Sequence, residues 1–385
     1  MTDDKKQYLS ELYDSISEEL SISNTMMEKA VKSYEAVGNW LGECEPDLDV
    51  KIFPQGSFNL GTVIKPISDK DDYDIDLVCL LSNGRYLTAK EIKMIVGNRL
   101  KEHKTYRKML EKEGKRCWTL QYEEFHMDVL PSVPKKIYYV EPGMTEIRLT
   151  HKVDEDIYID KYSNPCEYRR WFESRMGERL YEVRHDYSVK NSVEIDEVPI
   201  YKVKTPLQKA IQLLKRHRDI MFADDASGDA PISIIITTLA ARAYDGERTV
   251  YDALERILCH MQDFIEVDEN GDYKVMNPVM EEENFADKWK TNPHKVECFN
   301  SWLKQAKKDI LDNPMTSVGT VEQGKLLMKS FGENITKRAY GRVGDNARNM
   351  REESGLYING LKGGITAYTT DTSKEIPKHT FYGRK

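Results

Sequence analysis

Apolar positions recur at helical spacing from the start of the chain. Leu9, Leu12, Tyr13 and Ile16 form one stripe and a second stretch runs from about Thr25 to Leu41, so residues 5–42 are expected to be helical. The period then changes. Asp47 to Phe53 alternates as a strand does and runs into the breaker cluster Pro54-Gln55-Gly56-Ser57. A loop rich in Pro, Ser, Lys and Asp spans 65–73, and Ile75–Leu81 follows as an apolar strand. Thr88 caps a basic amphipathic helix to about Leu110. Cys117–Tyr122 and Phe125–Leu130 read as short strands, the second ended by Pro131 and Pro134, with Ile137–Tyr139 and Ile147–Leu149 as further short candidates. From about 165 the pattern is helical, over 165–181, 205–222, 231–243, 249–264, 295–312 and 319–331.

The layout is α+β: a mixed sheet-and-helix lobe over 1–165, a helical lobe over 166–331, and a polar, partly flexible tail over 332–385. A catalytic cleft is expected between the lobes. At 39% hydrophobic and 32% charged residues the chain is globular, and its formal charge of −8 disfavours a dedicated nucleic-acid coat or sensor. The longest apolar run, Ile232–Ala241, is too short to span a bilayer and no signal-type segment opens the sequence, so a cytoplasmic location is expected. The six cysteines show no metal-ligand spacing and read as reduced thiols.

The chemistry concentrates in Gln55-Gly56-Ser57 and in Asp74-Ile75-Asp76. On a strand, residues two apart share a face, so Asp74 and Asp76 project together while Ile75 and Leu77 turn to the core. Two such charges about 4 Å apart repel by roughly 4 kcal/mol at an effective dielectric near 20. Either a pKa rises or a cation intervenes, and hard oxygen ligands suit Mg²⁺ or Mn²⁺. Asp128, on the next apolar strand, supplies a third carboxylate for a site of two ions. Gly56 admits a phosphate close to the backbone, and the Ser57 hydroxyl is placed to donate to it.

These residues resemble the polymerase-β-like nucleotidyltransferases. The match of Gln55-Gly56-Ser57, Asp74-x-Asp76 and Asp128 is more specifically similar to the cGAS/DncV-like nucleotidyltransferases (CD-NTases) of bacterial anti-phage CBASS systems. The resemblance implies a two-lobed polymerase-β-like core with a helical C-terminal lobe and a bracing N-terminal helix. It also implies that Asp74, Asp76 and Asp128 are catalytic and hold the metal, and that Gln55, Gly56 and Ser57 bind nucleotide. Thr205–Arg218 resembles the family helix whose lysine contacts the triphosphate; Lys209 is matched to it, with Lys215 as the alternative. Ser233 is matched to a phosphate-contacting serine at the next helix start.

The implied function is condensation of nucleoside triphosphates, ATP and GTP among them, into a cyclic di- or trinucleotide such as cyclic GMP-AMP, with release of pyrophosphate. No inserted Cys/His ribbon is present, so no requirement for double-stranded DNA is expected, nor any membrane partner. A monomer is expected, with E1/E2-like or HORMA-like accessory proteins as possible partners; Gly383 near the end of the sequence invites conjugation, although Arg384 and Lys385 follow it. The alternatives are transfer to an RNA, protein or antibiotic acceptor, and an inactive scaffold, against which the intact carboxylate set argues.

Overall fold

The computed structural model describes residues 2–43, 46–67, 72–135, 145–192, 194 and 203–352, with short strands at 357–359, 365–366 and 373–375. The candidate strand Ile137–Tyr139 and the end of the chain, including Gly383, lie outside the described residues. The chain opens with α1 (Thr2–Leu20) and α2 (Asn24–Gly42), the latter capped by Ser23. Strand β1 (Val50–Gln55) leads into the single turn α3 (Gly56–Asn59), and β2 (Tyr73–Leu81) follows. Helix α4 (Ala89–Glu102) begins at a capping box between Thr88 and Glu91. The helix expected to reach Leu110 divides at His103, which leaves the helical conformation and caps α5 (Lys104–Met109) with its ring nitrogen.

Strands β3 (Trp118–Gln121), β4 (Phe125–Pro134), β5 (Ile147–Lys152) and β6 (Tyr158–Ser163) complete a six-stranded sheet of order β1-β2-β4-β5-β6, with β3 also pairing β4. β4 does not stop at Pro131. It pairs with β3 over 126–129 and with β5 over 132–134, so Pro131 falls where the neighbour changes and no ladder bond is needed on that side. One face of β2 and β4, carrying Tyr73, Ile75, Leu77, Met127 and Val129, is buried against α2 and α4. The other face is apolar only farther along, at Val78, Leu130 and Leu149.

The second half holds α6 (Pro165–Asn191), α7 (Pro206–Met221), α8 (Ser233–Ala243), α9 (Val250–His260), and helices over His294–Lys307 and Thr320–Phe331. Their apolar faces form a separate core, and α1 belongs to it: Leu9, Leu12, Tyr13, Ile16 and Leu20 are buried with Leu207, Ile211 and Leu254. The chain therefore crosses from helical core to sheet core between α1 and α2, so the first twenty residues pack with the later helices and not with the sheet. The segment expected to be a polar tail starts as a helix, Glu333–Glu352. It buries Ile335 and Ala339, and pairs Arg338 with Glu19 and Arg342 with Glu18 and Glu19 of α1.

Gly97 sits inside α4 with the Trp118 ring where a Cβ would go, and Trp118 is fixed by its indole N–H donating to the Lys93 carbonyl at 2.9 Å. A Gly→Ala change in a helix ordinarily stabilises by about 0.5–1 kcal/mol. Gly97→Ala is predicted to do the opposite, lowering the unfolding free energy by about 1–3 kcal/mol through overpacking, as read from denaturant midpoints.

Candidate active site

The parallel pairing of β2 with β4 sets Asp74 opposite His126 and Asp76 opposite Asp128. β1 runs antiparallel on the other side of β2 and sets Gln55 opposite Asp76, while β3 sets Thr119 opposite Asp128. Paired residues share a face, so Gln55, Asp76, Asp128 and Thr119 form one row across four strands, with Asp74 one step along. The sequence placed the two aspartates of β2 on one face; the register adds the third.

Gly56 follows Gln55 with φ +62 and lies against the Asp76 carboxylate, where any Cβ would collide. Both the backbone conformation and the close approach require glycine there. Burial pushes the Asp76 carboxyl up to about 7, with Asp128 and then Asp74 adding like-charge repulsion and Lys215 opposing them. Asp74 is raised too, first by burial and then by Asp128. The Thr119 hydroxyl donates to Asp128 Oδ1 at 2.5 Å and fixes its orientation. His126 turns to Asp72, 2.9 Å away.

Helix α7 joins the two halves. Gln208, Gln212 and Lys215 lie on one stripe at i, i+4 and i+7. They donate to the carbonyls of Leu60 (2.9 Å), Val63 (2.6 Å) and Thr62 (3.2 Å), pinning the loop after α3. Lys215 is buried, and burial and the nearby Arg218 push its pKa down to about 8. It is the lysine whose charge reaches Asp76. Lys209, the first sequence candidate, points elsewhere: it pairs with Asp14 of α1 and lines a second cavity with Lys65 and Lys204. Six positions along a helix turn a side chain by roughly 240°, which separates the two lysines. Ser233 begins α8 and accepts from the Arg218 guanidinium at 3.2 Å, while its neighbour Ile234 faces the cleft.

The cleft is a cavity of about 380 Å³ lined by Gln55, Gly56, Asn59, Asp76 and Asp128 on the sheet side. Tyr168, Ile234, Asn277, Glu283 and Phe285 line it from the helical side, and Arg116, Cys117 and Ser163 at its edges. Ser57 is half-buried beside this lining rather than in it. Asn277 and Glu283 stand in the short hairpin of Met276–Asn277 and Met280–Asn284, with Phe285 just after it, which helical periodicity does not reveal; the Asn270-Gly271 turn, with φ +81 at Gly271, signals only the preceding hairpin of Glu266–Val267 and Tyr273–Lys274.

Residues 50–131 match the family model described as cyclic GMP-AMP synthase DncV-like, nucleotidyltransferase domain. The chain is 31% identical over 396 residues to a c-di-GMP synthase of Roseivirga ehrenbergii, covering 100% of this chain and 99% of that protein. It belongs to the CD-NTase family. It is also 21% identical to the cyclic dinucleotide synthase CdnG of Bradyrhizobium diazoefficiens over 93% of this chain and 90% of that protein. The structure of CdnG in complex with GTP superposes with a TM-score of 0.68 at 20% identity, covering 87% of this chain and 99% of that one. The E. coli CdnC:HORMA-deltaN complex gives a TM-score of 0.56 at 12% identity, over 83% of this chain and 96% of that one. The chain is thus a nucleotidyltransferase that synthesises a cyclic oligonucleotide.

CD-NTases generally use divalent metal ions. Among the described residues no three His, Cys, Asp or Glu side chains converge as a ready-made cage. The donor set nonetheless fits Mg²⁺ or Mn²⁺, which accept one or two carboxylates and complete their shell with water and substrate phosphates. The raised Asp76 carboxyl marks a charge that Lys215 only partly offsets.

That charge has a consequence for stability. A carboxyl at about 7 in the folded state and near 4 unfolded binds more protons when folded, so metal-free stability falls as pH rises from about 4 to 7. In EDTA at pH 8, Asp76→Asn is predicted to be more stable than wild type by about 1–3 kcal/mol, with the gap closing towards pH 4. Denaturant melts at the two pH values check this.

Proposed function

We propose that this CD-NTase condenses two GTP molecules into cyclic di-GMP in anti-phage defence. The observation that carries the catalytic part is the register that sets Asp76 beside Asp128 next to Gly56. The base assignment is supported by the whole-length relative, itself a c-di-GMP synthase, and by the GTP complex of CdnG.

The donor triphosphate lies along Gly56 and Ser57, with Asp74 and Asp76 beside its α-phosphate and Lys215 and the Ser233 end of α8 towards its outer phosphates. Asp74, Asp76 and Asp128 would hold divalent metal, two ions, whose charge would offset the developing negative charge and lower the pKa of the attacking hydroxyl. Asp128, oriented by Thr119, faces that hydroxyl and takes up its proton. The acceptor oxygen bonds to the donor α-phosphorus, the bond to the β-phosphate breaks, and pyrophosphate leaves. The linear pppGpG then turns over, and a second attack of the same kind closes the ring. A HORMA-like partner is compatible with this reading, because CdnC is seen with one.

With GTP as sole nucleotide and Mg²⁺ or Mn²⁺, the predicted product is phosphatase-resistant and has the mass of cyclic di-GMP. Omitting GTP from a mixture of all four nucleotides abolishes it. Asp76→Asn lowers synthesis by at least about 10³-fold, and Lys215→Met lowers it by about 10²-fold or more, whereas Lys209→Met leaves it within about threefold. A linear or acceptor-linked product from wild type contradicts the proposal and favours transfer to an RNA or protein.

A further inference from the structure

The helical wall of the cleft carries charged chemistry that phosphoryl transfer does not use. Glu283 stands on the short strand Met280–Asn284. Its Oε2 accepts from the Asn277 side-chain amide at 2.7 Å and from the Ser163 hydroxyl at 3.1 Å. Both donors hold the same oxygen, and no hydrogen bond from the described residues reaches Oε1. Arg116 lies across the cleft edge, its Nε donating to the His151 ring at 3.4 Å while its two terminal nitrogens have no bonded partner among the described residues. Both side chains line the cavity that contains Asp76 and Asp128. The same cavity is lined by Tyr168 and Phe285, whose rings meet edge to face with centroids 6.0 Å apart.

The cleft thus carries, beside these rings, a carboxylate fixed through one oxygen and a guanidinium held through Nε with its two terminal nitrogens unengaged among the described residues. Guanine presents two adjacent donors, N1–H and the N2 amino group, and two adjacent acceptors, O6 and N7. A carboxylate matches the donor pair and a guanidinium the acceptor pair. Adenine offers the carboxylate an unprotonated N1, which repels it, and lacks O6. Resting on the GTP reading above, we propose that Glu283 and Arg116 select guanine in this cleft, with Asn277 and Ser163 as positioning residues that hold Glu283 in place.

A buried group built to accept from a substrate N–H rejects analogues lacking that N–H, and the loss appears in kcat/KM ratios between nucleotides rather than in overall rate. Inosine triphosphate is guanosine triphosphate without the 2-amino group and probes one hydrogen bond at a time. Wild type is expected to prefer GTP over ITP by about tenfold and GTP over ATP by about 10³-fold or more. Glu283→Gln, whose amide can pair with adenine instead, is expected to bring the GTP/ITP ratio near one and to cut the GTP/ATP ratio by at least about 10²-fold. Asn277→Ala moves both ratios the same way by less. Arg116→Met, on an exposed loop, cuts GTP/ATP without changing GTP/ITP. Should Glu283→Gln fail to fold, the wild-type GTP/ITP preference and the Arg116→Met ratios decide. Cyclic product from GTP with ratios unmoved by these variants overturns the base-reading role and leaves the synthase reading intact. No cyclic product from GTP in wild type overturns the GTP reading itself.

Discussion

Two aspartates held side by side by strand register are the constraint around which this protein is arranged. Asp76 and Asp128 are directly paired on adjacent parallel strands, and every residue around them answers to that placement. Gly56 has no side chain because the Asp76 carboxylate occupies its space. Thr119, paired to Asp128 from the far side, donates to it. Lys215 is buried close enough for its charge to oppose the rise of the Asp76 pKa, which still reaches about 7. A fold selected for stability alone would not keep like charges in register on a half-buried face. The arrangement makes sense where a cation and a triphosphate complete it.

The cleft also depends on how two cores are joined. The loop after α3 joins them: Leu60 is buried in the helical core with Ile64 packed against it, and one stripe of α7 sends Gln208, Gln212 and Lys215 into the backbone carbonyls of residues 60–63. These buried bonds fix the loop after α3 and so position Gly56 and Ser57 relative to the helical wall. Buried donors of this kind permit little slippage once paired, although the Gln212 side-chain oxygen has no partner among the described residues. Catalysis needs that precision between a sheet that carries the carboxylates and a facing wall that carries Tyr168 on α6 and Glu283 on the strand Met280–Asn284.

Much of this was legible in the sequence because it rests on local rules. Strand period two put Asp74 and Asp76 on one face, and the Thr-Pro start of α7 and the Thr88 capping box mark their helices directly. What was not legible is long-range. Asp128 was found by its strand, but only β2–β4 pairing shows that it neighbours Asp76 and not Asp74. The choice between Lys209 and Lys215 turns on helix rotation relative to a loop 150 residues away, so the sequence admits both; in the fold Lys215 bonds to Thr62 and Lys209 pairs with Asp14. Glu283 sits in a hairpin of very short strands whose pattern is too brief for a period to appear. The helix at 333–352 was hidden because Gly341, Gly344 and a charged face mask its stripe, and its burial comes from α1 at the opposite end of the chain.

The most direct test of the central claim is a thermal melt of wild type and Asp76→Asn with a non-hydrolysable GTP analogue and Mg²⁺, added separately and together. If the carboxylate row exists to be completed by metal and triphosphate jointly, each alone raises the wild-type Tm little and the pair raises it well beyond their sum, while Asp76→Asn loses that coupling. Equal stabilisation by the analogue with or without Mg²⁺, or the same coupling in Asp76→Asn, would contradict it.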